Sequence, residues 1–198
     1  MTELELYLWE RGFIVAGVDE AGRGPIAGPV VASAVVLKPY TEPFVKGDSK
    51  SLTEKEREEA YELIKEKAIA VGTAVVDSCV IDRINILKAT KLAMKRALED
   101  LKHKFDVVIS DYVKIDGVNC IPIPKADEKS LSCACASIVA KVLRDRIMKE
   151  YHKIFPHYNF HSHKGYITKD HLDRIKKFNI SPIHRRSFNP IKQSSLFD

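Results

Sequence analysis

Four carboxylates flank the apolar segments of this chain in positions that suit metal or acid–base chemistry. Asp19 and Glu20 follow the apolar run I-V-A-G-V, and Asp111 follows the run V-V-I-S. Asp127 stands just before a long stretch of small and apolar residues. Ligand sites of α/β proteins are commonly built at the ends of strands. If the segments that carry Asp19 and Asp111 are neighbouring strands, their carboxylates converge at one edge of a sheet.

Converging carboxylates repel one another and raise each other's pKa unless a cation lies among them. Mg²⁺ prefers oxygen ligands and often shares the phosphate oxygens of a substrate, and a pair of ions can hold both the attacking and the leaving oxygen. The pattern therefore indicates a divalent-metal site, although solvated loop acids are an alternative that spacing alone leaves open. Successive strand residues point to opposite faces, so we expect the strand to turn if Asp19 and Glu20 share the site.

A glycine-flanked arginine, Gly22-Arg23-Gly24, follows the first two acids at once. Glycines expose backbone amides and allow another backbone to approach closely. Most such pairs are only turns, and this one alone is a weak signal. Beside a carboxylate cluster it suits a ribose and its phosphate, with main-chain groups at the 2′-hydroxyl that distinguishes RNA from DNA.

The elements that must position these residues follow from the apolar pattern. Runs rich in β-branched residues predict strands over residues 15–18, 28–37, 68–76, 107–109 and 119–124. Thr53 and Glu56 form a capping box that starts a helix. Helical spacing predicts further helices over residues 81–101, 130–155 and 169–178. Helices interleaved with strands indicate an α/β fold with a mixed sheet.

Length and composition describe a globular protein of one domain. The chain has 198 residues, of which 45% are hydrophobic and 30% charged, and no apolar run approaches the ~20 residues of a membrane span. We expect the domain to cover residues 1–186, helical from about 157, with a flexible tail over 187–198. Acidic residues stand where a signal peptide would be basic, which predicts a cytoplasmic protein. The net charge of +5 permits a polyanionic partner.

Two other candidate sites are weak. The four cysteines have no C-x-x-C spacing, and two of them lie in an apolar segment, which is typical of buried free thiols. His161 and His163 form an H-x-H pair without a cysteine or a third histidine at a fitting distance, which disfavours zinc.

The run from Val18 to Val30, V-D-E-A-G-R-G-P-I-A-G-P-V, closely resembles the signature of the ribonuclease HII family. Three further blocks resemble that family in the same order along the chain: G-D-S-K-S-L-T at 47–53, K-A-D-E-K-S at 125–130 and H-K-G-Y-I-T-K-D-H at 163–171. The resemblance implies a ribonuclease H-like mixed β-sheet flanked by helices, with a helical C-terminal segment.

The same resemblance implies an endonuclease that cuts the RNA strand of RNA/DNA hybrids and nicks DNA on the 5′ side of embedded ribonucleotides. Catalysis by two divalent ions, Mg²⁺ or Mn²⁺, would leave 3′-hydroxyl and 5′-phosphate ends. The implied catalytic and metal-binding residues are Asp19, Glu20, Asp111 and Asp127. The implied substrate-binding residues are Gly22, Arg23, Gly24 and Tyr166, of which Tyr166 would sense the RNA–DNA junction. Candidate phosphate contacts, for which solvated surface is the alternative, are Lys50, Lys141 and Arg144.

Some positions depart from the family pattern. Ala126 stands where the family usually has glycine, and Glu128 competes with Asp127 as a ligand. Asp116 is a rival of Asp111, but it lies in a loop while Asp111 ends a strand. None of these departures removes a carboxylate. The related ribonuclease HIII normally has a different turn and an added N-terminal domain, so ribonuclease HII is preferred.

The C-terminal residues carry a separate signal. Gln193, Leu196 and Phe197 resemble the short peptide with which replication enzymes dock on bacterial sliding clamps, and the protein is otherwise expected to be a monomer. A non-catalytic adaptor that has kept the fold and binds nucleic acid or a clamp is the alternative function. The complete set of four acids favours the enzyme.

Overall fold

The structure is a computed structural model that describes residues 3–45, 49 and 51–193. The predicted site residues Lys50, Leu196 and Phe197 lie outside the described residues. Among the described helices, none is long and apolar enough to cross a membrane.

A five-stranded mixed sheet forms the centre of the molecule, as the sequence predicts. Its strands are β1 (Val15–Ala21), β2 (Val30–Val36), β3 (Ala70–Val76), β4 (Val107–Asp111) and β5 (Cys120–Ile123), in the spatial order β3-β2-β1-β4-β5. β1 is antiparallel to β2 and parallel to β4. On their other sides, β2 pairs with β3 in the antiparallel direction and β4 pairs with β5 in the parallel direction. The carboxyl ends of β1 and β4 therefore meet at the same edge of the sheet.

Helices cover both faces of this sheet. They are α1 (Glu3–Glu10), α2 (Glu54–Lys67), α3 (Ser78–Ile84), α4 (Ile86–Asp100), α5 (Ala126–Lys129), α6 (Leu131–Ile154), α7 (Phe160–His163) and α8 (Lys169–Phe178). Alternate residues of β1 explain the two layers: Ala16 and Val18 pack with α4, whereas Gly17 faces α6. The predicted capping box is present at the start of α2, where Thr53 and Glu56 exchange hydrogen bonds.

The long helix α6 approaches the sheet closely because Gly17 has no side chain. A Cβ on Gly17 would lie 2.2 Å from the carbonyl carbon of Ser132. The start of α6 is also held from α1, which the sequence analysis did not predict. The fully buried carboxylate of Glu5 accepts hydrogen bonds from the Leu131 amide at 2.7 Å and the Ser132 hydroxyl at 2.5 Å. A carboxylate at a helix N-terminus is favoured by the helix dipole.

The single helix predicted over residues 81–101 is wrong, because the structure has two helices there. α3 ends at Ile84 and α4 begins at Ile86. Asn85, between them, has a positive φ of 69° and its side chain accepts a hydrogen bond from the Lys88 amide at 3.1 Å. Asparagine tolerates positive φ and caps helices well, so it ends one helix and starts the next.

The flexible tail predicted from residue 187 begins too early. The Ser187 amide and hydroxyl both donate to Asp82 of α3, at 2.9 and 2.6 Å. Ile191 is buried and packs with Ile26 and Ile175. The isolated apolar residues of this segment gave no periodic signal, but contacts of Ser187, Phe188 and Ile191 hold it against the rest of the protein.

Candidate active site

The parallel pairing of β1 and β4 places the first and third predicted carboxylates side by side. The last aligned pair is Val18 with Ser110, so Asp19 and Asp111 are the next residues on adjacent strands. Asp127 is brought to them by α5, because the Ala126 amide donates to Asp111 Oδ1 at 3.1 Å. All four predicted acids, with Glu128, line one cleft of about 1070 Å³.

Glu20 reaches this cleft without the predicted turn. β1 continues through Ala21 and stays paired with β2 throughout, so the expectation that the strand turns at these acids is wrong. The reason is that β4 pairs with β1 only as far as Val18. Beyond that point the edge of β1 is open, and side chains from both of its faces can line the same cleft.

The carboxylates are held in an unfavourable electrostatic environment. Burial raises the pKa of Asp19 well above its usual value, and the charges of Glu20 and Asp111 raise it further. Burial also raises the pKa of Glu20, against the lowering effect of Arg23, whose Nη1 lies 3.2 Å from Glu20 Oε1. The other oxygen, Glu20 Oε2, is buried and has no hydrogen-bond partner among the described residues. A cation would relieve both the repulsion and the unpaired oxygen.

These residues fit a hard divalent cation by their chemistry. All are carboxylates, which is the ligand type that Mg²⁺ and Mn²⁺ favour. Within residues 3–45, 49 and 51–193, no three acidic, histidine or cysteine side chains form a ready-made metal cluster. The fit therefore depends on the donor type and on the unpaired buried oxygen of Glu20.

The rival acids are placed differently. Asp116 is exposed and forms an ion pair with Lys91, with 3.1 Å between Nζ and Oδ2. It does not line the cleft, which agrees with the preference for Asp111. Glu128 does line it, paired with Lys125 at 2.8 Å. Asp127 and Glu128 thus both remain at the cleft.

A buried arginine holds the glycine turn from behind. Arg185 is fully buried and donates to the carbonyl oxygens of Gly22 at 2.6 Å, Arg23 at 3.0 Å and Gly28 at 2.9 Å. In a trans peptide the C=O and N–H groups point in opposite directions. The amides that follow Gly22 and Arg23 therefore point away from Arg185. The sequence analysis missed Arg185, which lies in a polar segment far along the chain.

Arg144 supports the same turn, and its prediction as a phosphate contact is wrong. It is fully buried and donates to the carbonyls of Pro29 at 3.1 Å and Ala27 at 3.3 Å. Its Nη1 is buried without a hydrogen-bond partner in the described part of the chain. Gly22 has a φ of 98°, and a Cβ there would lie 2.1 Å from Arg144 Nε. Glycine is required at position 22 on both grounds.

Tyr166 lies beside the turn on the open side of the cleft. Its ring is partly exposed, with 43% of the residue accessible, and a Cβ on Gly24 would lie 3.8 Å from its Cε1 atom. The Arg144 guanidinium lies 5.7 Å from the ring centroid. The carboxylates, the glycine turn and the tyrosine, predicted from separate blocks of sequence, therefore line one cleft.

Comparison with known proteins identifies the family. The model of the ribonuclease HII family matches residues 16–191. The chain belongs to the ribonuclease HII family. It is 68% identical to the ribonuclease HII of Aquifex aeolicus over 193 residues, which cover 98% of both chains. The protein is thus a ribonuclease H, a metal-dependent endoribonuclease that acts on RNA/DNA hybrids.

Solved structures share the fold. The ribonuclease H2 of Pyrococcus horikoshii matches with a TM-score of 0.77 and 27% identity, over 90% of this chain and 95% of that one. The ribonuclease HII of Archaeoglobus fulgidus, solved in a complex with PCNA, matches with a TM-score of 0.72 and 24% identity, over 87% and 93%. The ribonuclease H-like fold predicted from the sequence is therefore confirmed.

Cationic side chains also line this ribonuclease H cleft. Lys141 lines it and is held by an ion pair with Asp145 at 2.7 Å, while its partial burial lowers its pKa. Arg57 also lines it and donates to the Ser49 carbonyl at 3.2 Å. Sequence analysis missed Arg57 because it lies in a helix rich in Glu and Lys, where an arginine is most often a solvated surface residue. Ser137, which hydrogen-bonds Asp19, was missed as well.

Proposed function

We propose that the enzyme nicks duplexes on the 5′ side of ribonucleotides embedded in DNA, in addition to cutting the RNA strand of hybrids. The observation that carries the proposal is the single cleft shared by the carboxylates, the turn Gly22–Gly24 and Tyr166. One sugar can meet the turn while the neighbouring nucleotide meets the tyrosine ring. A junction between RNA and DNA is the substrate feature that such a pair of contacts can distinguish.

The reading of the ribose is assigned to the main chain of the turn. Because Arg185 holds the carbonyls of Gly22 and Arg23, the two amides that follow are directed away from the protein interior. Amides in this orientation are suited to the 2′-hydroxyl and the adjacent phosphate, since both accept hydrogen bonds. The side chain of Arg23 is engaged with Glu20 instead.

For the chemistry, Asp19, Glu20, Asp111 and Asp127 would hold two divalent ions, Mg²⁺ or Mn²⁺. Bound there, the ions supply Lewis acidity toward the attacking and leaving oxygens. Lys141 and Arg57, which line the same cleft, would attract the phosphodiester to the carboxylates. Among the described cleft residues, the hydroxyls of Ser137 and Ser49 are buried and hydrogen-bonded to each other at 2.9 Å. We therefore assign water as the nucleophile, which predicts 3′-hydroxyl and 5′-phosphate products.

The test uses one duplex in three forms that differ at a single sugar: ribose, deoxyribose and 2′-O-methylribose. With Mg²⁺, we expect a nick on the 5′ side of the ribose only, with a 3′-hydroxyl and a 5′-phosphate at the nick. Cleavage on the 3′ side, or a 5′-hydroxyl product, would contradict the proposal. Tyr166→Ala should lose more activity on the single ribonucleotide than on a continuous hybrid. Tyr7→Ala is the control, because Tyr7 is similarly exposed but does not line the cleft.

We further propose a sliding clamp as a partner of the C-terminus. Gln193 is exposed at the end of the last short helix, Ile191–Gln193, and it begins the peptide-like motif. Because Ile191 is buried, a deletion of residues 194–198 should leave the packed segment intact. We expect this deletion to abolish micromolar clamp binding without changing the melting temperature. Unchanged clamp binding would remove the motif as the docking element.

A further inference from the structure

Three histidines form a cluster behind Tyr166, outside the site described above. His171 and His184 are buried, and the ring of His163 stacks on that of His171 with 4.1 Å between centroids. His171 lies in the first turn of α8, while His184 lies in the segment that precedes the buried Arg185. The nuclease chemistry uses none of these imidazoles.

The hydrogen bonds of the cluster determine where each proton lies. The Ser181 amide donates to His184 Nδ1 at 2.8 Å, so this nitrogen must be an acceptor. His184 therefore carries its proton on Nε2, which lies 3.0 Å from His171 Nε2. His171 accepts there and carries its own proton on Nδ1, which donates to the carbonyl oxygen of Tyr166 at 2.9 Å. The result is a directional chain from Ser181 through two neutral imidazoles to Tyr166.

His163 fixes the residue before Tyr166 in the same way. The Gly165 amide donates to His163 Nδ1 at 3.1 Å, and His163 Nε2 donates to the carbonyl of Tyr158 at 2.8 Å. Gly165 also has a φ of 84°, and a Cβ there would lie 2.4 Å from the carbonyl oxygen of Ala27. His163 therefore holds the Gly165 amide, and His171 holds the Tyr166 carbonyl oxygen.

We propose that His171 and His184 are positioning residues for substrate selection, which act by orienting the Tyr166 ring through its main-chain carbonyl. This inference rests on the proposed role of Tyr166 at the junction. The Tyr166 side chain has few restraints of its own, since 43% of the residue is exposed and the Arg144 guanidinium is 5.7 Å from the ring centroid. The orientation of the ring therefore depends on the main chain, and His171 holds the main chain at that residue.

The environment of the cluster keeps the chain of hydrogen bonds neutral. A second proton on His171 would lie on its Nε2 and would face the N–H donor of His184 Nε2. The N-terminus of α8 also disfavours a positive charge on His171. The ionisable groups that face His171 are His163, His184 and Asp170, and those that face His184 are His171 and His163. Only Asp170 favours protonation, and it is occupied by Asn159 and Arg174.

Paired substitutions can separate this role from packing. An asparagine amide occupies the place of a histidine Nδ1, and a glutamine amide occupies that of Nε2. His171→Asn can therefore still donate to Tyr166, whereas His171→Gln cannot. At the next link the order reverses, because His184→Gln can still donate to His171 and His184→Asn cannot. If the two histidines acted only through packing, the order of Asn and Gln would not reverse between positions 171 and 184.

The readout is the ratio of kcat/KM on a duplex with one ribonucleotide to kcat/KM on a continuous RNA/DNA hybrid. We expect a loss of about fivefold to tenfold in His171→Gln and His184→Asn, the effect of one net hydrogen bond, and less than about twofold in their partners. In a Tyr166→Ala background, His171→Gln should change the ratio no further. Equal losses of the ratio in the Asn and Gln variants of each histidine would overturn the proposal. The proposal would also be overturned if His171→Gln lowered the ratio as much in the Tyr166→Ala background as in the wild type.

A second measurement observes Tyr166 without catalysis. With 3-fluorotyrosine at position 166, the ¹⁹F resonance of the folded protein should shift or broaden in His171→Gln and remain as in the wild type in His171→Asn. No change in His171→Gln would overturn the positioning role, whatever the activity shows. If the resonance changes but Tyr166→Ala leaves the substrate ratio intact, the positioning role stands and the proposed junction role of Tyr166 fails. If His171→Gln does not fold, the His184 pair supplies the same comparison.

Discussion

The acidic wall of the cleft and the supporting wall, which lies behind the cleft lining, differ in how their buried polar groups are hydrogen-bonded. The acidic wall consists of the carboxylates at the strand ends, Asp19, Glu20 and Asp111. The supporting wall consists of the buried groups behind the turn and the tyrosine, Arg185, His171 and His184. In the acidic wall a carboxylate oxygen has no hydrogen-bond partner and burial raises the pKa of two groups. In the supporting wall, Arg185 makes three hydrogen bonds and each imidazole nitrogen has a partner.

This difference agrees with the proposed division between groups that bind a ligand and groups that position their neighbours. A buried group with unsatisfied hydrogen-bonding capacity raises the free energy of the protein until a ligand supplies the missing partner. A fully bonded buried group gains nothing from a ligand and stabilises one arrangement of its neighbours. Substitutions in the acidic wall should therefore affect activity more than stability, and substitutions in the supporting wall should do the reverse.

The largest expected effect on activity is that of Asp19→Asn. Removing one of the proposed metal ligands should lower kcat/KM by at least about a hundredfold at saturating Mg²⁺. The same change should raise the stability of the metal-free protein, because burial and the charge of Glu20 both disfavour a charged side chain at this position. Nicking assays and thermal unfolding in EDTA measure the two effects. Asp116→Asn is the control, and near wild-type activity of Asp19→Asn would contradict the assignment.

The largest expected effect on stability is that of Arg185→Met. The substitution leaves three buried carbonyls without their donor, which should lower the free energy of unfolding by about 3 kcal/mol or more. The adjacent Arg186→Met should change it by less than about 0.5 kcal/mol, because Arg186 is exposed. Chemical denaturation provides the comparison. Equal stability of the two variants would show that the guanidinium does not hold the turn.

The two glycines of the turn sharpen the comparison, because Gly22 packs against the buried Arg144, whereas Gly24 lies on the open side of the cleft beside Tyr166. Gly22→Ala should lower stability by about 2–4 kcal/mol, from its positive φ and from the overlap with Arg144. Gly24→Ala should leave stability within about 0.5 kcal/mol, because a Cβ there meets only Tyr166 at 3.8 Å, and should instead raise KM for the ribonucleotide duplex. Melting temperatures and steady-state kinetics distinguish these outcomes, and similar melting temperatures would remove the contrast.

The two walls should also respond to acid in opposite ways. Burial lowers the pKa of His171 to about 4 and that of His184 to about 3, from 6.5. Between pH 6.5 and about 4, these histidines bind a proton in the unfolded chain but stay neutral in the folded protein. The free energy of unfolding is therefore highest above pH 6.5 and decreases as the pH falls toward 4. The loss is up to about 2 kcal/mol for each histidine near pH 5.

The raised pKa of Asp19 acts in the opposite sense. The folded protein takes up this proton more readily than the unfolded chain, so acid stabilises the acidic wall as the pH falls through the raised pKa. In Asp19→Asn this gain is absent, and stability should fall more steeply with decreasing pH than in the wild type. Chemical denaturation in EDTA over a series of decreasing pH values tests the prediction, and identical slopes would contradict it.

The sequence by itself determined the parts of this protein that depend on local patterns. The period of the apolar residues predicted the mixed sheet and α8, and the capping box at Thr53 marked the start of α2. The four acids and the glycine turn could be singled out because a carboxylate beside an apolar run, or two glycines one residue apart, is a pattern that is visible within a few residues of sequence. The order of the family blocks then indicated ribonuclease HII, which the comparisons confirm.

The tertiary structure decided which distant groups support the site and how Glu20 reaches it. Arg185 bonds the carbonyl of Gly22 from 163 residues away, and Glu5 bonds the start of α6 from 126 residues away. A side chain that bonds a main-chain carbonyl or amide needs no particular residue type at the other end, so such contacts leave no pattern in the sequence. Glu20 enters the cleft because β4 stops beside Val18, and the length of one strand relative to its neighbour is a property of the folded sheet.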